Sequence, residues 1–400
     1  MEKPHDLVLK TLQGKIKEEY RPTIFNLKNK RDVKVFSALI KSGKIGRIVD
    51  TYVSQLQECF EIQNPVLVHS NDFKKKFDFF LKEVGKDSPL WQQGAWVWYS
   101  WISTLVHILP EKEFFLVRTA RNKNLIKNDE QTDFYNSVIG VAGLSVGNSI
   151  ALTIVLEGGA KHIRLADSDN LTLSNTNRIR TGISNLGIKK VIMTARQIYE
   201  INPYAIVEIF KDGLTRKNIS TFFNKQPKLN IVIDEIDSFG AKYLIRKWAQ
   251  KLQIPLITGA DNGEGVSLDI ERYDLDKNTP FFNGRLGRIN YGALEALSKF
   301  EIGKSIVRLI GIENIPHRLI ESFFQMGKTL VSWPQLGSAA TLNGAIVSYV
   351  ARQVLRGKRF KHQRMLFSLE KLMPVGHHDS LKEERRQIES TKKFRKLLGL

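Results

Sequence analysis

Residues 138–202 hold the side chains whose types and spacing can do chemistry. Gly143, Ser145 and Gly147 form a small-residue turn, and Asp167 follows downstream. Small residues let a backbone come close to a phosphate, and a helix opening there aims unpaired N–H groups at the anion. A carboxylate at the end of the next strand can accept from both hydroxyls of a ribose. This is the order of a nucleotide-binding crossover. Read as GLSVGN, however, the turn has Ser145 and Asn148 where a G-x-G-x-x-G fingerprint has its second and third glycines. Taken alone, it reads equally well as a turn that merely needs small residues.

The elements that must position these groups follow from periodicity. An apolar run at 138–142 is short enough for a buried strand; Ile150, Ala151, Ile154 and Val155 recur at helical spacing; Gly158-Gly159 stop that helix; and a second apolar run, 162–166, leads to Asp167. Beyond it the pattern predicts a helix at 191–201, a strand at 206–210, a short helix at 216–223 and a strand at 231–234. A helix at 241–252 and strands at 255–258 and near 267–273 complete it. Such alternation predicts an α/β, Rossmann-like fold: a mostly parallel, doubly wound sheet with helices on both faces. Ligands of these sheets sit at the carboxyl ends of the strands, and Asp167, Asp234 and Asp237 all fall at strand ends, hence on one rim. For Asp234 the favoured reading is a strand-end cap.

The downstream segment is more specific. It reads D-S-D-N-L-T-L-S-N-T-N-R, then G-I-K-K, then N-P. It resembles the ThiF/MoeB family, the adenylating domain shared with ubiquitin-activating enzymes, whose members carry D-x-D-x-V-x-x-S-N-x-x-R-Q, G-x-x-K and N-P. Asp167, Asp169, Ser174, Asn175, Arg178, Gly187, Lys190 and Asn202-Pro203 stand in that order, with Ile179 in place of the Gln. The likeness continues through IVIDEIDS and IPLITGA and returns in WPQLGSAATLNGAIVSYVARQVL, covering roughly 118–275 and 332–357. It implies ATP-dependent adenylation of a carboxylate. Gly143, Ser145, Gly147, Asp169 and Asn175 would border the nucleotide, Asp167 would hold the ribose, Arg178 and Lys190 would cover the phosphates, and Asp237 would hold Mg²⁺. Lys189 competes with Lys190, and the family spacing selects Lys190. The family's R-x-x-R-Q matches Arg118 and Arg121, with Asn122 for Gln, so Arg121 would reach into the ATP site of a partner subunit in a homodimer. An arginine fork suits a triphosphate.

Absences narrow the chemistry. Cys59, the only cysteine, precedes the whole region, which leaves no thioester cysteine on this core, no CxxC pairs and no Cys-based zinc site. Within the family this leaves adenylation followed by direct attack of a nucleophile. The alternatives are an enzyme similar to the tRNA threonylcarbamoyladenosine dehydratases, whose branch VIDEIDS resembles, and a relative that binds a nucleotide or carrier without chemistry. A nicotinamide-dependent oxidoreductase is disfavoured by S-N-x-x-R.

Hydrophobic content of 42% and charged content of 26% are those of a globular protein. No apolar run is long enough for a membrane span, and residues 1–15 lack the apolar core of a signal peptide, so the expected location is the cytoplasm. Lys and Arg number 61 against 41 Asp and Glu, a formal charge of +20. Such a chain attracts polyanions, tRNA or an acidic carrier protein among them, although a generally basic surface explains it as well. The expected organisation is an N-terminal mixed region (1–115), an adenylating domain (116–357) with an acceptor-shaping insertion at 276–331, and a basic C-terminal extension (358–400), helical or unstructured. The aromatic stretch 91–109 reads as core, with base stacking as the alternative. Candidate polyanion readers are Trp91–Trp101, Arg285, Arg288 and the KKFRK at 392–396. Cys59 and His317 read as structural, and His377 and His378 lack partners at ligand spacing.

Overall fold

The computed structural model describes residues 18–287, 290–361, 363–374 and 377–399. Its contacts divide the chain into one unit of Met1–Lys127 with Ala195–Tyr204 and a second of Asn128–Thr194 with Ala205–Leu400. In the first, β1 (Thr23–Phe25), β2 (Arg47–Asp50), β3 (Ala95–Tyr99) and β4 (Thr104–Ile108) form a sheet of order β1-β3-β4-β2, antiparallel except for the β2–β4 pair. The aromatic stretch falls on β3, where Trp96 and Tyr99 are buried, as the core reading expects. The His107 ring lies between those of Tyr52 and Trp96, with centroids 4.1 and 4.3 Å away, and both its nitrogens are engaged by Asp50 and the Gln93 carbonyl. Cys59 is buried in the helix Tyr52–Gln63, and burial pushes its thiol up, away from the reactive thiolate. Arg118 is in the helix Glu111–Thr119, but Arg121 is past its end, exposed in a 3₁₀ turn, so the two do not share a helical face.

The second unit is built on seven strands. β5 (Val138–Ala142), β6 (His162–Ala166), β7 (Ile206–Phe210), β8 (Ile231–Asp234) and β9 (Leu256–Asp261) pair in parallel; β10 (Gly265–Glu271) and β11 (Arg364–Ser368) add antiparallel edges, giving the order β11-β10-β9-β8-β5-β6-β7. The chain winds outward from β5 through β6 to β7, then returns to the other side of β5 with β8. The strand order therefore reverses between β5 and β8, where such sheets open a crevice. Helices cover both faces. A side chain at Gly140 would meet Phe222 and Leu229, whereas the next strand residue, Val141, faces Gly147 of the helix Val146–Leu156; adjacent strand residues point to opposite faces. Phe222, Phe223, Ile245 and Ala249 close the first face, and the helices Val146–Leu156 and Gly337–Leu355 pack on each other.

β9 runs three residues beyond the expected strand because β10 turns back on it with Asp261 opposite Val266. The C-terminal stretch is helical, His377–Leu398, and it docks through Phe394 and Leu398 onto Ile312, Ile315 and Ile320. His317 is structural, 3.1 Å from Glu383 on that helix. Among the described residues no helix is long and apolar enough to cross a membrane. Arg288 lies outside the described residues, as does the chain before residue 18.

Candidate active site

The site begins at the carboxyl end of β5. Gly143 has φ +88°, and a Cβ there would collide with the Glu235 carbonyl just after β8, so this turn requires glycine on two counts. Asp167, at the end of β6, clasps the turn: its Oδ2 accepts from the Leu144 N–H at 2.7 Å and its Oδ1 from the Asp169 N–H at 2.8 Å. Burial pushes this carboxyl up, against the opposing Lys190 charge. Each carboxylate oxygen keeps a lone pair for a further donor.

The serine and asparagine that break the glycine fingerprint both have structural employment. Ser145 is the residue before the helix Val146–Leu156, but its hydroxyl does not cap that helix. It accepts instead from Arg178 Nε at 2.8 Å. The Ser145 side chain thus takes none of the first N–H groups of the helix, and an arginine stands beside that end, which together suit an anion. Asn148 is buried and donates to Thr194 Oγ1 at 2.9 Å. Ile179, in place of the family's glutamine, is buried in the core.

Arg178 also donates to the Ser174 carbonyl and to Asn177 Oδ1. Burial pushes its guanidinium down, while the carboxylates of Asp261 and Asp237 hold it up. Asp237 is exposed. Asp261 was not foreseen. It ends β9 with Oδ1 3.3 Å from Asn343 Nδ2 and with Oδ2 buried and without a hydrogen-bond partner. Burial pushes its carboxyl up to about 6, against the pull of Asn343 and Arg178. Glu235 is a second acidic group beside the turn; it accepts from the Gly259 N–H at 2.8 Å, and burial pushes it well up. Asn343, on the helix Gly337–Leu355, also donates to the Gly259 carbonyl and so ties that helix to β9. The signal that would have reached Asp261 is Asn262-Gly263, a hairpin dipeptide that extends the strand to its border.

Lys190, nearly buried, lies 2.9 Å from Asp169 Oδ2. Lys189 points elsewhere and donates to the Ser168 and Lys211 carbonyls. Asn175 is spent locally, its Oδ1 accepting from the Thr172 N–H in a capping box. Asp234 is a strand-end cap and more: Oδ1 accepts from the Ile236 N–H, and Oδ2 pairs with Arg246 at 2.7 Å and Lys242 at 3.3 Å. Arg246 reaches Glu271 at 2.8 Å as well, a fully buried ion-pair cluster rather than a ligand site. One rim therefore gathers Gly143, Ser145, Gly147, Asp167, Asp169, Arg178, Lys190, Asp237 and Asp261. Arg121 belongs to the other unit.

Known proteins resemble parts of this chain. An uncharacterized protein of Mycobacterium tuberculosis is 32% identical over 68% of this chain and 37% of its own length. The tRNA threonylcarbamoyladenosine dehydratase of Escherichia coli is 31% identical over 36% of this chain and 53% of its own length. A probable molybdopterin-synthase adenylyltransferase of Porphyra purpurea is 31% identical over 30% of this chain and 31% of its own. The chain thus spans from about a third to about half the length of these relatives. A solved structure of an E. coli tRNA N6-threonylcarbamoyladenosine dehydratase in complex with ATP aligns at TM-score 0.42 and 20% identity, over 60% of this chain and 95% of that one. Residues 119–278 match the ThiF family, so this stretch of the chain is a ThiF-type domain.

Proposed function

We propose that this protein is an ATP-dependent adenylyltransferase that activates a carboxylate and passes it directly to a nucleophile. The observation that carries the reading is the uncapped helix end at Val146 with Arg178 held beside it on Ser145. A carboxylate oxygen attacks the α-phosphorus of ATP, the bond from that phosphorus to the bridging oxygen breaks, and pyrophosphate leaves with its electron pair. Such a transfer needs charge neutralisation and alignment more than covalent help. Asp167 holds the ribose, the N–H groups after Ser145 receive phosphate oxygens, and Arg178 and Lys190 neutralise the charge that moves onto pyrophosphate. On this reading Lys190 exchanges Asp169 for phosphate when ATP enters.

Asp237 is the residue that would hold Mg²⁺. It is exposed on the rim, and no group of three or more metal-ligating side chains occurs among the described residues. That donor set fits Mg²⁺, which takes one or two carboxylates and completes its shell with water and phosphate oxygens. The ion would shield the phosphates from the attacking carboxylate.

Cys59, buried in the other unit's helix, offers no thiolate for a thioester, so the acceptor is an amine, hydroxyl or thiol of the second substrate. The carboxylate itself sits on a carrier-protein C-terminus or, as the name of the E. coli relative suggests, on a tRNA nucleoside. ATP–pyrophosphate exchange with candidate carboxylates tests the reading. Exchange that never appears, with ATP still raising the melting temperature, leaves a nucleotide-binding protein without this chemistry. The active form we propose is a homodimer with Arg121 serving the partner's site. Arg121→Ala and Asp237→Ala chains, each inactive alone, should regain about a quarter to a half of the activity when mixed; heterodimers that form and stay inactive refute the cross-subunit role.

A further inference from the structure

Away from the candidate active site, a surface cleft of about 350 Å³ opens between the helices Ile219–Asn224, Phe239–Leu252 and Tyr291–Glu295. It is within the size range of small-ligand sites. Three cations and three aromatic side chains line it: Arg216, Lys247, Lys251, Tyr243, Trp248 and Tyr291. None of the described lining residues is acidic, and among the described residues no carboxylate pairs with Arg216, Lys247 or Lys251. The helix Phe239–Leu252 has no Asp or Glu at all. Of its cations, half-buried Lys242 and buried Arg246 are consumed by Asp234 and Glu271. Its two exposed ones, Lys247 and Lys251, follow Tyr243 at four-residue steps and so form one stripe with it.

An ordinary solvated helix face mixes both signs of charge. Here positive charge and rings alternate, and the rings are arranged to receive a flat group. The Arg216 guanidinium carbon lies over the Tyr291 ring, 3.9 Å from its centroid. Tyr243 meets Tyr291 edge-on at 6.3 Å, and Lys251 lies over Trp248 at 4.9 Å. Unstacked bases bind on such aromatic and guanidinium planes while neighbouring lysines take the backbone phosphates. An acidic peptide would use the lysines but has no flat group for the Arg216–Tyr291 stack. We infer that this cleft is a binding site for single-stranded nucleic acid, with a base against Arg216 and Tyr291 and phosphates on Lys247 and Lys251. The inference is independent of the adenylation reading, since it uses none of the rim residues.

The test is fluorescence anisotropy of the full chain with a short, labelled single-stranded RNA of mixed sequence, at about 50 and about 200 mM NaCl. Lys247→Ala with Lys251→Ala should weaken binding about tenfold and flatten the log–log salt slope by roughly 1.4, for two phosphates. Tyr291→Ala should weaken it roughly tenfold with the slope unchanged, and Tyr291→Phe should restore it. Lys277→Ala, an exposed lysine outside the cleft, should change nothing. Circular dichroism verifies that each variant is folded. Binding that none of the cleft variants alters overturns the proposal. So does a result in which only the lysines matter and polyglutamate displaces the RNA at equal charge, since the cleft then takes an acidic protein surface.

Discussion

Asp261 concentrates the tension of the rim in one residue. Its Oδ2 is buried without a hydrogen-bond partner, and its carboxyl is raised to about 6 by burial. A carboxyl whose folded pKa is raised costs stability when it ionises. That cost begins as pH rises past the unfolded value near 4 and is complete above about 6. Asp261→Asn keeps the acceptor for Asn343 and removes the charge. It should stabilise the protein by roughly 1–3 kcal/mol at pH 8 and by nothing at pH 4; urea titrations at the two pH values check this, and equal effects at both refute it. Arg178 is the second informative residue, because its planar fork reaches Ser145, Ser174 and Asn177 at once. Lysine supplies the charge but not the fork. Arg178→Lys should therefore lower ATP–pyrophosphate exchange about a hundredfold, with the melting temperature nearly unchanged, and exchange at the parental rate would show that charge alone suffices.

Among the elements, the helix Gly337–Leu355 matters most to the site's shape. It presses its backbone onto the helix that opens at the small-residue turn: a Cβ on Gly344 would lie 2.8 Å from both the Ser149 carbonyl and Thr153 Oγ1. At its amino end a Cβ on Gly337 would lie 2.6 Å from the Asn177 carbonyl, next to Arg178. One helix thus backs the turn, holds Asn343 against Asp261 and abuts the loop that carries Arg178. Gly344→Val forces the two helices apart and should cost about 1–3 kcal/mol. The same variant should weaken ATP binding, measured by calorimetry, more than an equally destabilising substitution in β7.

For the whole molecule, the division into units follows contacts rather than chain order. Residues 195–204 belong with 1–127. The bonds are specific: Tyr99 Oη donates to the Tyr199 carbonyl, Trp101 Nε1 to Glu200, and Tyr204 Oη to the Leu109 carbonyl at 2.6 Å. A fragment of residues 128–400 leaves that segment without these partners. It should express with lower soluble yield and melt several degrees below the full chain, by differential scanning fluorimetry; an unchanged melting temperature would show that 195–204 is stable without them.

How much of this was legible beforehand depends on whether the cause is local. The strand runs at 138–142, 162–166 and 231–234, the small-residue turn and the acidic rim follow from periods and residue types along short stretches, and they determine the α/β sheet. Of the signature from Asp167 to Lys190, Asp167 bonds the Leu144 N–H and Arg178 bonds Ser145 at the turn, whereas Asn175 is spent locally. Of the N-terminal aromatics read as core, Trp96 and Tyr99 on β3 are buried, while Trp91 before it is exposed. Partnerships between distant segments were beyond such reading. Nothing near Ser145 announces that Arg178 will take its hydroxyl, and nothing near Asp261 announces Asn343, 82 residues on. Asp261 reaches the rim only because β10 folds back and extends β9, and residues 195–204 change units in mid-helix because their polar partners lie about a hundred residues earlier. Those choices are made by side chains competing for burial and for hydrogen-bond partners once the chain is compact, and only the tertiary structure records which of them won.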